Sequence, residues 1–165
     1  MPDGGVMRGR GGINPQVMRL INRLCNGRGH DIVRTLRCRG VVAAYVFGSR
    51  VDDASDKHGD LDIGVLFPGS KLDGLDFEFA SLLTEDLAPI TFPAVPDVIL
   101  LQKTRVPVAF EAMSRGQILF SDDEGLRAEF EDRVISDYLD LNPMVETYWR
   151  GLPERLREKI GRISY

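Results

Sequence analysis

The chain has little of what secreted, membrane and nucleic-acid-binding proteins use. Its two cysteines, Cys25 and Cys38, stand outside any Cys-x-x-Cys spacing, which disfavours a disulfide framework or a zinc site and leads us to expect a cytoplasmic protein. The most apolar run, residues 41–47, is too short to span a bilayer, and residues 1–12 lack the apolar stretch of a secretory signal. Because the formal net charge is −4, we expect no stable binding to DNA or RNA, and without a longer apolar run we expect no membrane association.

What remains is the composition of one soluble domain. The 165 residues are 43% hydrophobic and 28% charged, enough to bury a core and too few for two large domains. Five glycines within residues 1–12 predict a flexible N-terminal arm over 1–13. A core then follows over 14–121, and a helical segment of the same domain over 122–165.

Hydrophobic patterning predicts an α/β protein. Apolar residues at helical spacing predict a helix from Asn14, and the pattern then predicts helices over 31–39, 75–87 and 106–115. Continuous or alternating apolar runs predict strands over 41–47, 60–66, 98–101 and 118–120. Three prolines over 89–96 predict a non-helical connection. In the C-terminal segment, Ser121 is a predicted N-cap, and Asn142-Pro143 should separate two helices.

A glycine and a serine follow the first predicted strand directly. Without a Cβ at Gly48, a ligand can approach the main chain, and backbone N–H groups with the Ser49 hydroxyl can hold phosphate oxygens. Arg50, in the loop that follows, is a further candidate phosphate contact. The same residues are also common in ordinary turns, and loop cations are usually solvated.

Three aspartates lie at or near the starts of the other two predicted strands. Asp60 and Asp62 are two residues apart, so their carboxylates share one face of a strand and suit Mg²⁺. Asp97 precedes an apolar strand and is able to complete a three-carboxylate site. The pattern alone also fits a half-solvated strand for the first pair and a turn residue after Pro96 for Asp97.

Together these residues form the pattern Gly-Ser-x10-Asp-x-Asp with a later Asp. The pattern resembles the nucleotidyltransferase superfamily that includes DNA polymerase β. Within it, residues 46–50 and 59–63 look like the minimal nucleotidyltransferases (MNT), many of which are antitoxins encoded beside HEPN-domain ribonuclease toxins. Residues 115–120 are similar to a further short signature of that group. The chain departs from the group at Asp52-Asp53, where glycine is frequent, and at Gly59, where serine is frequent.

The resemblance implies a nucleotidyltransferase fold, with a small mixed sheet flanked by helices and a helical C-terminal segment. It also implies that Gly48 and Ser49 hold the phosphates of ATP, that Asp60 and Asp62 bind two Mg²⁺ ions, and that Asp97 joins the second ion and helps to activate the acceptor. The implied reaction transfers AMP to a tyrosine of a HEPN toxin.

Two alternatives to this reading remain. One is a small-molecule nucleotidyltransferase of the aminoglycoside-modifying kind, and the other is a binding module that neutralises its partner by contact alone. Little chain remains beyond the predicted core to enclose a sugar-like acceptor, which favours a macromolecular one. We interpret two further ionisable residues, His58 and Glu111, as surface residues.

Overall fold

The computed structural model describes residues 11–48, 60–74 and 77–151. In these ranges five α-helices surround a four-stranded sheet, which confirms the predicted α/β class. The helices are α1 Pro15–Leu24, α2 Gly29–Cys38, α3 Phe77–Thr91, α4 Val106–Ser114 and α5 Glu124–Gly151. The strands are β1 Ala43–Phe47, β2 Leu61–Leu66, β3 Pro96–Leu100 and β4 Gln117–Ser121, and a 3₁₀ helix spans Gly69–Gly74. No described helix is long and apolar enough to cross a bilayer.

The sheet is mixed, with the strand order β3-β2-β1-β4. β1 pairs antiparallel with β2 and with β4, whereas β2 and β3 are parallel. β3 is therefore an edge strand. Its edge is protected, because Pro96 has no N–H to offer and the Val98 N–H donates to Thr84 Oγ1 of α3 at 3.2 Å. A further strand would find few free donors there.

Alternating side chains of the sheet build two cores. One face packs against α1, α2 and α3, and the other packs against α4 and α5. The long helix α5 is tied to the second face by a partly buried hydrogen bond, in which the Tyr45 hydroxyl donates to Glu131 Oε1 at 2.6 Å. Burial first, and then this carboxylate, raise the pKa of Tyr45 far above its usual range.

Two prolines that were predicted to end helices lie inside them. α3 contains Pro89 and continues to Thr91, because the burial of Leu83 and Leu87 against the sheet outweighs one missing hydrogen bond. α5 likewise passes through Pro143, so the predicted break at Asn142-Pro143 is wrong. One lost N–H donor does not end a helix of 28 residues.

The boundaries of the C-terminal helix and of the N-terminal arm also differ from expectation. Ser121 ends β4 and is buried, and Asp123 provides the N-cap instead, accepting the Leu126 N–H at 3.0 Å. Residues 11–13 are attached to the core: Gly11 N donates to Asp122 Oδ1 at 2.8 Å and Ile13 bridges to β4. The rest of the predicted arm, residues 1–10, and residues 152–165 lie outside the described ranges.

Candidate functional site

The site begins where β1 ends, at a glycine that no other residue can replace without strain. Gly48 has a φ of 84°, a conformation that residues with a Cβ adopt at a cost. Pairing of Phe47 with Asp62 brings this turn against β2. A Cβ on Gly48 would overlap Oδ2 of Asp62 and lie 3.0 Å from its Cγ. The absent side chain therefore leaves the space that the Asp62 carboxylate occupies.

The sheet brings the three predicted aspartates to the same end of two neighbouring strands. Asp62 and Asp97 are register partners in the parallel pair β2–β3, so their side chains project from one face on strands about 4.8 Å apart. This is the face that α4 and α5 cover. Asp60 lies two residues before Asp62, directly ahead of β2, and its negative charge acts on the Asp62 carboxyl.

Asp62 has the strongest electrostatic perturbation of these carboxylates. Its pKa is raised to about 6, first by burial and then by the negative charges of Asp97, Asp60 and Glu111. Asp60 and Asp97 are themselves exposed. The neighbouring negative charges therefore add to the burial of this carboxyl in disfavouring its ionised form.

Glu111 is the residue that the sequence interpretation missed. It is exposed on α4, as expected for a surface residue, yet it lies close enough to Asp62 to raise the pKa of that carboxyl. Nothing in the spacing of the chain links the two residues. Their proximity depends on how α4 packs across the sheet, which a hydrophobic pattern does not specify.

The donor set suits a divalent cation that a substrate helps to bind. The arginine ion pairs seen in the described ranges join other carboxylates, those of Asp31, Asp86, Asp122, Glu124 and Glu131. In the same ranges, no three acidic, histidine or cysteine side chains already surround a metal position. Mg²⁺ typically takes one or two carboxylates and completes its octahedron with phosphate oxygens and water. The aspartates fit that role better than the role of a closed protein cage.

Six loop residues that the sequence singled out are not among those that the structure describes. Ser49 and Arg50, the other two nucleotide-binding candidates, lie outside the described residues, as do His58 and the departures at 52–53 and 59. Their roles stay predictions.

Comparison with known proteins identifies the family of the segment that carries these residues. A family model for polymerase beta nucleotidyltransferases matches residues 30–125, the segment that carries Gly48 and the three aspartates. A search of curated protein sequences found no match.

Solved structures show the same fold. A toxin–antitoxin complex with AMP-PNP contains a chain 21% identical, with 73% of this chain and 94% of that chain covered and a TM-score of 0.62. A tri-AMPylated Shewanella oneidensis HEPN toxin in complex with an MNT antitoxin matches at 21% identity, 73% and 92% coverage and a TM-score of 0.58. The MntA–HepT toxin–antitoxin structure matches at 20% identity with the same coverage and TM-score. With the family model covering more than half of its length, the chain belongs to the polymerase β nucleotidyltransferase family.

Proposed function

We propose that the chain is a Mg²⁺-dependent nucleotidyltransferase that acts as an antitoxin, transferring AMP from ATP to a tyrosine of a cognate HEPN ribonuclease toxin. The observation that carries the proposal is the placement of Gly48, Asp60, Asp62 and Asp97 at the same end of three neighbouring strands. A glycine turn and a cluster of unbalanced carboxylates are the two parts that phosphoryl-type transfer needs: space for phosphate against the main chain and acidic ligands for cations.

The phosphates of ATP lie against Gly48 and Ser49 in this proposal, with Arg50 as a further contact. Asp60, Asp62 and Asp97 hold two Mg²⁺ ions, which when bound neutralise the charge that develops on the phosphate oxygens. The negative charges of Asp97, Asp60 and Glu111 near Asp62 support that assignment, because bound cations would offset the repulsion among these carboxylates. In the absence of cations, the same charge would repel a triphosphate.

In the proposed transfer, one bond forms and one bond breaks at the α-phosphorus. The acceptor hydroxyl oxygen attacks the α-phosphorus, and the bond from that phosphorus to the oxygen bridging to the β-phosphorus breaks. Pyrophosphate leaves with the electron pair of the broken bond. Asp97, on the outer strand, takes the proton of the acceptor hydroxyl.

The antitoxin role rests on the solved relatives. Those structures contain toxin–antitoxin pairs, one with AMP-PNP and one with a tri-AMPylated HEPN toxin bound to an MNT antitoxin. We infer that this chain has a partner of the same class. AMP added near the ribonuclease centre of such a partner would place bulk and negative charge where RNA phosphates bind.

Intact-mass analysis of the co-encoded HEPN protein tests the proposal. After incubation with this chain, ATP and Mg²⁺, the partner should gain one or more AMP groups on tyrosine and lose its ribonuclease activity. A partner that is silenced equally by the Asp60→Asn protein, with no change of mass, would show neutralisation by contact alone. The proposed transfer would then be wrong.

A further inference from the structure

A groove runs past Asp97 along the outer edge of the sheet. On one side of this residue lies a cavity of about 380 Å³, lined mainly by apolar groups of β3 and α4 and ending at Lys103 and Thr104. On the other side lies a cavity of about 250 Å³, whose lining includes polar residues of α3, Glu85 among them. Both cavities share Ala80, Asp97 and Val98 in their walls, so they adjoin each other and are together named the edge groove here.

The edge groove lies on the side of the site away from the glycine turn. Gly48 follows β1, in the middle of the sheet, whereas Asp97 lies on β3 at its edge. Asp62 on β2 separates them. A triphosphate held at Gly48 therefore leaves the edge groove free, and a second molecule can approach Asp97 from the outer edge.

From this placement we propose that the edge groove binds an extended peptide segment of the acceptor protein and presents its hydroxyl to Asp97. The inference rests on the proposed transferase function for the role of Asp97. It adds the site of the acceptor and the kind of sequence that the acceptor segment should have.

The shape of the edge groove favours a peptide over a small molecule. Both cavities are open depressions, whereas small-molecule sites usually enclose most of the surface of their ligand. The segment does not extend the sheet, because Pro96 and the Thr84–Val98 hydrogen bond block the edge of β3. It lies across the side chains instead.

The residues that line the edge groove also indicate which side chains the bound segment should carry. Ile99 and Val108 offer a partly buried apolar surface directly beside Asp97, which suits a large apolar residue close to the acceptor hydroxyl. The positive charge of Lys103 at one end and the negative charge of Glu85 at the other favour an acidic and a basic residue at the two ends of the segment.

Peptide selection on the full chain, without nucleotide, tests the inference independently of catalysis. The probes are short random peptides with a central serine, threonine or tyrosine, and peptides with the stated pattern should be enriched. Their affinity should fall about tenfold or more in Thr104→Trp, which fills the edge groove, and in Lys103→Glu, which reverses the charge at its end. Arg105→Glu changes the charge equally two residues away, and Leu139→Trp adds the same ring on α5, so both should bind as wild type does.

The outcomes separate the inference from the proposed function. No enrichment on the wild-type chain, equal binding by both groove variants, or displacement of the peptides by AMP-PNP would each overturn the peptide groove. Thermal unfolding of every variant identifies any that fails to fold, in which case the other groove variant decides. Peptide binding by a chain that transfers no AMP would refute the transferase function while leaving the edge groove in place.

Discussion

The absence of a side chain at Gly48 allows the end of β1 to lie against the Asp62 carboxylate. Gly48 combines a positive φ with a close approach to Asp62, and either feature alone would disfavour another residue. Gly27 shares only the first of them: its φ is 83°, but a Cβ there would meet nothing within 4 Å. Substitutions at the two glycines therefore separate the cost of backbone strain from the cost of steric overlap.

We predict that Gly48→Ala destabilises the fold more than Gly27→Ala does. The left-handed backbone costs each variant about 1 kcal/mol, and Gly48→Ala must also displace the Asp62 carboxylate. Chemical denaturation of both variants measures the difference. Equal losses of unfolding free energy would show that Asp62 moves aside freely. The close approach of Gly48 to Asp62 would then contribute nothing to stability.

Asp62 should make stability depend on pH. Because its pKa is raised to about 6 in the folded chain, protonation favours folding: this contribution is full below the ordinary value near 4 and is lost as the pH rises through 6. In EDTA, Asp62→Asn should therefore be more stable than wild type above pH 6, by about 1 kcal/mol after allowing for solvent screening, and the gain should fade towards pH 4. Urea denaturation across this range is the measurement.

The control for that series is Asp132→Asn, which removes an exposed carboxylate from α5. It should change stability little at any pH. If Asp62→Asn followed the same flat profile, the acid cluster would not be charged as described.

Among single residues, the sequence predicted best where the chemistry depends on spacing along one strand. The two-residue period was enough to put Asp60 and Asp62 on one side. Glu111 could not be found that way, because its proximity to Asp62 depends on the packing of a separate helix. The capping role of Asp123 was missed for a similar reason, since Ser121 has an equally suitable side chain and only the end of β4 distinguishes them.

The long helix α5 is held to the sheet by a small number of specific contacts. Glu131 accepts from the Tyr45 hydroxyl and from Arg127, each at 2.6 Å. Further along, Tyr138 stacks on Phe110 of α4, with ring centroids 3.8 Å apart. These contacts keep α4 and α5 together over the face that carries the aspartates.

We predict that Tyr45→Phe lowers the free energy of unfolding by about 1–2 kcal/mol. The variant removes a buried hydrogen bond to a carboxylate while keeping the ring in the core. Tyr138→Phe is the matched control and should have little effect, because the stacked ring remains. Thermal denaturation that ranked the two variants equally would show that the Tyr45–Glu131 bond contributes nothing net.

Element boundaries show where local sequence rules stop being sufficient. Strands β1 and β2 were predictable because their apolar runs are short and bounded by glycine or acidic residues. The helices through Pro89 and Pro143 were not, because tertiary burial compensates for a lost hydrogen bond and no local pattern records that burial. The register of β2 with β3, which aligns Asp62 with Asp97, likewise exists only once the sheet has formed.

At the scale of the whole molecule, the strand order separates the proposed sites of the nucleotide and the acceptor. The glycine turn lies on the central side of the sheet and the edge groove lies on the outer side, with the aspartates between them. In the described ranges, the long helix α5 contributes no residue to the walls of the edge groove. Such a molecule is suited to an acceptor that another protein brings to it.

Transfer of labelled AMP by the double variant Asp60→Asn with Asp62→Asn tests the central claim most directly. The wild-type chain, given ATP labelled at the α-phosphate, Mg²⁺ and the HEPN partner, should label the partner. The folded double variant, checked by circular dichroism, should leave it unlabelled because the ligands of the cations are lost. Labelling by the double variant at the wild-type rate would place the active site elsewhere and contradict this account.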